Sequence, residues 1–305
     1  MRTGSKFVVI GSHGGRAHVP VTGGGHVYLF AHEGARATLL AMPRDGSAVK
    51  KLGRVTTAEP PRALVVQGTS AFFTLPKRLM QLPLEGGELR ELASEIGRPL
   101  ASSQGKLYAL RCSAKEDADE LVRIDAAGGA LASVARIPRT NKNAKCEYRA
   151  LAVTGAAAYV SDWTGRRILK LALNDGAMTV LAEKQPFPGR IMPSATAVVF
   201  QAAAGIRRVD ENSGEVGTLS REGAMPFESL AWDERHLYVL STPAYAERDS
   251  LFRLPHDGGK REDLGSFPGT DMVTGDKRVD VAVDDQCVYI AHDGPNYTEI
   301  LARGK

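Results

Sequence analysis

Seven positions in this chain carry charge at a recurring offset from an aromatic residue. Ten residues before such an aromatic stand Arg98, Arg149, Arg190 and Glu228, and eleven before Phe73 stands Arg62. Arg16 and Arg278 lie one or two residues further out before their own aromatics. A guanidinium is a planar fork of donors that grips carboxylate, phosphate or sulfate oxygens in pairs. Several forks arranged around one axis would focus a positive potential there and favour an anionic ligand or an acidic protein segment. The alternative is a rim of Arg–Glu pairs that belongs to the scaffold.

Other chemistry is thinly represented. The chain has no G-x-S-x-G elbow and no cysteine in a nucleophile signature. Its seven histidines (13, 18, 26, 32, 236, 256 and 292) are dispersed, without H-E-x-x-H or another ligand spacing. A metal held in a channel needs several inward carboxylates, and only Glu228 stands at a matching position, so no metal is expected. Gly11-Ser12-His13-Gly14-Gly15 lacks the G-x-G-x-x-G spacing, and Pro20 with Gly23-Gly24-Gly25 breaks the helix that would hold a phosphate. That segment is predicted to be a loop between repeats, and no cofactor is expected.

The elements that position these residues are read from an internal repeat. An apolar residue followed by an aromatic recurs at Val27-Tyr28, Phe72-Phe73, Leu107-Tyr108, Ala158-Tyr159, Val199-Phe200, Leu237-Tyr238 and Val288-Tyr289. Glycine turns follow at Asp45-Gly46, Gly86-Gly87, Gly128-Gly129, Asp175-Gly176, Ser213-Gly214 and Gly258-Gly259. Such pairs supply the positive φ of tight hairpins. An apolar residue stands five positions past most turn glycines, at Leu92, Val134, Leu181, Leu219 and Leu264, and six past Gly46 at Leu52. The segments are too short, and too rich in Val, Tyr, Thr and Gly, for paired helices.

Each repeat therefore reads as four antiparallel strands, which is one blade of a β-propeller. The expected fold is all-β: a single seven-bladed propeller domain over residues 1–305. The last repeat runs out at Lys305 before its turn and fourth strand. Gly4 stands where that turn's glycine belongs, with Val9 five residues on, so the N-terminal strand at residues 6–10 is predicted to close the last blade. Closure leaves no lateral edge open to pairing with another chain.

Composition agrees with a globular chain. Hydrophobic residues make up 43% and charged residues 24%, and 32 glycines against 6% aromatics suit many turns and short strands. The net charge of +4 is spread rather than striped, so nucleic acid is not an expected partner. No apolar run is long enough to span a bilayer, and no membrane partner is expected. No signal peptide is visible at Met1–Lys6, so a cytoplasmic monomer is expected, with export open if an upstream segment has been removed.

Tyr159-Val160-Ser161-Asp162-Trp163-Thr164-Gly165-Arg166-Arg167-Ile168-Leu169-Lys170-Leu171, with Asn174-Asp175-Gly176, resembles a YWTD or NHL-type propeller repeat. Val283-Asp284-Asp285-Gln286-Cys287-Val288-Tyr289 and Leu251-Phe252-Arg253-Leu254-Pro255-His256-Asp257-Gly258-Gly259 resemble bacterial propellers of unknown function with V-D-D-x-x-V-Y and G-G repeats. The resemblance implies mostly binding scaffolds, with a minority of lactonases, lyases and sugar dehydrogenases.

Long connections gather at the arginine end. They include 112–120, 241–250 and 137–147, and Tyr245, His292 and Tyr297 are candidate rim contacts. Cys112 and Cys146 fall in neighbouring loops on that side, either as a disulfide or as two separate thiols in a reducing compartment. Cys287 is predicted to be core. The run Lys115-Glu116-Asp117-Ala118-Asp119-Glu120 is predicted to be a solvated loop tip or one helical turn, and Trp163 a blade-packing or loop anchor, with an exposed stacking platform as its alternative. The leading expectation is a non-enzymatic propeller binding an anionic ligand or acidic segment. The alternatives are a lyase or lactonase acting on a carboxylated substrate, with a His or Glu228 moving a proton, and a structural module in an assembly.

Overall fold

The computed structural model describes residues 6–112, 116–126, 131–140, 146–221, 229–241, 248–268, 279–293 and 297–305. Those residues form 27 strands in antiparallel sheets: five of four strands and one of seven. The repeated aromatics fall on the second strand of each repeat, and all seven are buried: Tyr28, Phe73, Tyr108, Tyr159, Phe200, Tyr238 and Tyr289. They are the cores around which the short strands pack.

The seven-stranded sheet runs in chain order from β6 (Leu64–Gln67) to β12 (Ala132–Pro138). Its breadth comes from one long strand, β9 (Arg90–Ser103), which serves two partners. Residues Arg90 to Ile96 pair with β8 (Lys77–Pro83), and Ile96 to Ser103 pair with β10 (Lys106–Arg111). The change of partner occurs at Glu95, held at φ 59°, and at Gly97. A Cβ at Gly97 would lie 3.0 Å from the Cys112 sulfur and 3.3 Å from the Leu110 carbonyl, so only glycine fits without displacement.

The chain divides into two compact units, one of residues 1–66, 83–87 and 226–305, the other of residues 67–82 and 88–225. In the first unit β1 (Val8–Gly14) joins β27 (Tyr297–Gly304), completing a sheet whose further strands are β26 (Cys287–Asp293) and β25 (Val279–Val283). The closing strand begins later and extends further than the expected 6–10. Gly11 to Gly14 are strand rather than loop. A Cβ at Gly11 would fall 2.6 Å from the Met42 sulfur, so any larger residue there would have to displace the end of that side chain. A bulge between Val9 and Gly11 shifts the pairing. In consequence Ile10 enters the core beside Met42 and Tyr289, while Val9 is exposed.

The V-D-D motif is explained locally. The Asp284 carboxylate accepts from the backbone N–H groups of Gln286 and Cys287, both at 2.8 Å. Asp233 does the same for Arg235 and His236, and its second oxygen accepts the Tyr238 hydroxyl at 2.8 Å. An Asx turn thus leads into each of these second strands, and at Asp233 it also holds the hydroxyl of the strand's aromatic, Tyr238. Cys287 is buried as expected.

The second unit holds most of the seven-stranded sheet and two four-stranded sheets, one from β13 (Tyr148–Val153) to β16 (Met178–Ala182) and one from β17 (Ile191–Pro193) to β20 (Val216–Ser220). One cluster packs Tyr108, Leu121, Ile137, Tyr148 and Val160, and another packs Tyr159, Ile168, Ile191 and Phe200. Gly176 turns one hairpin at φ 73°, and a Cβ there would meet the Val134 carbonyl at 2.5 Å. No helix of the described residues is long and apolar enough to cross a membrane.

Candidate functional site

Three strand-start arginines lie in the second unit. Arg98 is exposed on β9, where its own carbonyl accepts the Thr74 hydroxyl at 2.7 Å. Arg149 is the extra residue of a bulge in β13 (Tyr148–Val153), because Tyr148 faces Asp162 while Ala150 faces Ser161. The bulge turns its side chain outward, and the guanidinium sits 4.3 Å over the Trp163 ring. Arg190 is half-buried just before β17 (Ile191–Pro193), with its carbonyl accepting the Gln201 N–H at 2.9 Å.

The first unit holds Arg16, exposed at the start of β2 (Arg16–Gly23), and Arg62, ion-paired with Glu59 at 2.9 Å. Arg62 is thus answered by a neighbour three residues away, a feature its offset did not reveal. His292 lies on β26 (Cys287–Asp293) with its ring 5.6 Å from that of Phe267, edge to face. Tyr297 is exposed at the start of β27. Glu228, Tyr245 and Arg278 lie outside the described residues.

Trp163 is more than a packing anchor. It is half-buried, with the Arg149 guanidinium over its ring and the Phe187 ring centroid 4.8 Å away at 45°. Phe187 is 44% exposed and held at φ 52°. The sequence signal for it is an aromatic between two prolines, Pro186 and Pro188, in a connection that needs no apolar residue.

The acidic run is not a uniform loop tip. Asp119 lies on β11 (Ala118–Asp125) with its side chain 2% exposed. It accepts from Arg139 Nε at 3.1 Å and Nη2 at 2.5 Å, and from the Tyr148 hydroxyl at 2.9 Å. Burial, then the Asp119 charge, pushes the Tyr148 hydroxyl far above its ordinary pKa, so it remains a donor. The hydrogen bond to Asp119 raises Arg139, which remains charged. The Lys115 part of that run lies outside the described residues.

Beside this network Cys112 and Cys146 are joined, with Cα atoms 5.7 Å apart, inside the range a disulfide spans. Their sulfurs and an Asp119 oxygen lie within 4.8 Å of one another. The Asp119 charge is already met by Arg139, and each sulfur by the other. Closing a span of 34 residues, the bridge is expected to contribute about 3–4 kcal/mol by restricting the unfolded chain. Urea unfolding with and without reductant measures this. A midpoint that does not respond to reductant, or that responds equally in Cys146→Ser, contradicts it.

No protein-family model matches the chain, and no curated protein matches it either. Solved structures do. BamB from Moraxella catarrhalis is 12% identical with a TM-score of 0.58, over 91% of this chain and 82% of that one. A nidogen–laminin complex is 14% identical with a TM-score of 0.55, over 80% and 93% of the respective chains. The Mitotic Checkpoint Complex supplies a chain 10% identical with a TM-score of 0.66, over 98% and 91%. At such identities the likeness bears on architecture alone, and with the sheets described above it shows a β-propeller repeat fold.

Proposed function

We propose that this chain is a non-enzymatic, seven-bladed binding propeller that takes an anionic ligand, small or part of an acidic protein segment, at its strand-start arginines. The blade count rests on β9, whose halves pair separately and so count as strands of two blades. The observation that carries the binding reading is Arg149. It is exposed at the repeated offset, held by a bulge and a tryptophan face, and among the described residues no carboxylate pairs with it. Arg98 and Arg190 repeat the offset in the sheets before and after it. Chains similar in fold come from protein complexes, among them a nidogen–laminin complex and a complex of Dbp5 with Nup159 and Gle1, which supports a protein segment as ligand.

Citrate is a suitable first probe because it offers several carboxylates. At a hundredfold excess over its dissociation constant, a ligand that binds only the folded state adds about 2.7 kcal/mol. Citrate is expected to raise the thermal midpoint of the wild type in a concentration-dependent way and to lose most of that effect in the Arg98→Ala, Arg149→Ala double variant. Equal shifts in both proteins contradict the reading.

A further inference from the structure

We infer that the Trp163–Phe187 pair, with the cations around it, is a docking surface for an acidic linear peptide that carries one apolar anchor residue. The inference deepens the anion-binding reading and rests on it. Rings 4.8 Å apart, with Phe187 44% exposed, form an apolar step. The loop that displays it is pinned on all sides. Gln185 N–H donates to the Arg166 carbonyl at 2.8 Å, Ala203 N–H to the Pro186 carbonyl at 2.9 Å, and Gly189 N–H to the Gln201 carbonyl at 2.8 Å. Arg207 Nη1 donates to the Gln185 side-chain oxygen at 2.9 Å.

Phe187, Lys184 and Arg166 all hold positive φ, at 52°, 56° and 52°. Non-glycine residues adopt that conformation only where the surroundings impose it, and such strain gathers where a side chain must be presented. A connection that served only to link strands would do so with glycine or asparagine and without an exposed phenylalanine.

Charge defines the occupant. In the same sheet Arg167 is paired with Asp162 at 2.7 Å and Lys170 with Glu211 at 2.5 Å. Arg149, Arg166 and Lys184 have no carboxylate partner among the described residues. Arg149 over the Trp163 ring, with Arg166 three residues along the chain from Trp163 and Lys184 three residues from Phe187, fits a segment whose carboxylates flank a phenylalanine or leucine. The rings are tilted by 45°, and among the described residues no further exposed aromatic continues the step, so a single anchor fits better than a run of stacked bases.

The test uses a synthetic peptide with one Phe between paired Glu residues, its Phe→Ser counterpart, and a single-stranded oligonucleotide. Titrations are followed by anisotropy on the wild type and on Phe187→Asn, a substitution suited to left-handed backbone. The Phe peptide is expected to bind the wild type about tenfold tighter than the Ser peptide, and Phe187→Asn should erase the difference. Equal binding of both peptides by the wild type overturns the docking surface while leaving the anion site standing. A preference that persists in Phe187→Asn also overturns it, as does tighter binding of the oligonucleotide. Binding of neither peptide removes the anion reading itself. If Phe187→Asn fails to fold, the wild-type preference and its loss in Arg149→Ala decide the matter.

Discussion

A chain lacking residues 1–14 is expected to lose at least about 4 kcal/mol of stability and to aggregate. The deletion removes the pairing of β1 with β27, which runs from Val8 opposite Ala302 to Gly14 opposite Tyr297. It also withdraws Ile10 from the cluster that contains Leu40, Met42, Tyr289 and Ile300. What remains is β27 as a bare edge of unpaired N–H and C=O groups, ready to template another chain. Ile10→Ala separates the two effects. It should cost about 2–4 kcal/mol through the lost side chain, yet leave the edge covered and the protein free of aggregates. Urea unfolding and light scattering on both variants make the comparison, and a truncated chain with an unchanged midpoint contradicts it.

Asp119→Ala is expected to be comparably damaging, at about 3–5 kcal/mol, because it strands a cation. Arg139 has a side chain only 10% exposed and sends two donors to Asp119, while the Tyr148 hydroxyl sends a third. Removing the carboxylate leaves these donors without their acceptor, which is costlier than never having built the pair. Asp119→Asn keeps an acceptor oxygen but no charge and should fall between wild type and Ala. Denaturant midpoints at constant m-value read the order directly. An Asp119→Ala midpoint within error of the wild type would show that the network contributes nothing net.

The repeat was legible because each aromatic must be buried and each tight turn needs positive φ. These are strong local demands, and Tyr108, Phe200 and Gly176 meet them in the structure. What escaped the sequence depended on register and on partners distant in the chain. Val9 and Ile10 are both apolar, and only the bulge at Gly11 decides which one faces the core. Gly11 to Gly14 look like loop because glycines mark turns, yet they pair with β27 from Gly11 opposite Ile300 to Gly14 opposite Tyr297. Asp119 sits in an acidic run of ordinary appearance, and its partners Arg139 and Tyr148 lie 20 and 29 residues away. Nothing local separates it from Asp117. The offset of Arg98, Arg149 and Arg190 could be read by counting, whereas the answer to Arg62 by Glu59 could not.

Phe187 shows a different limit. Pattern reading assigns apolar residues to strands, and an exposed phenylalanine in a connection contradicts that rule rather than following it. Such violations are expected where binding rather than folding sets the residue. The same reasoning applies to Arg149. A strand residue placed on a bulge, against a half-buried tryptophan and with no carboxylate partner among the described residues, gains little stability there.

Calorimetric titration of the wild type and the Arg98→Ala, Arg149→Ala variant with citrate, at low and raised salt, tests the binding claim most directly. The account predicts exothermic binding to the wild type that weakens as salt screens the guanidinium groups, and at least about tenfold weaker binding to the variant, with both proteins unfolding at the same temperature. Indistinguishable, salt-insensitive titrations would contradict it and leave the strand-start arginines as parts of the scaffold.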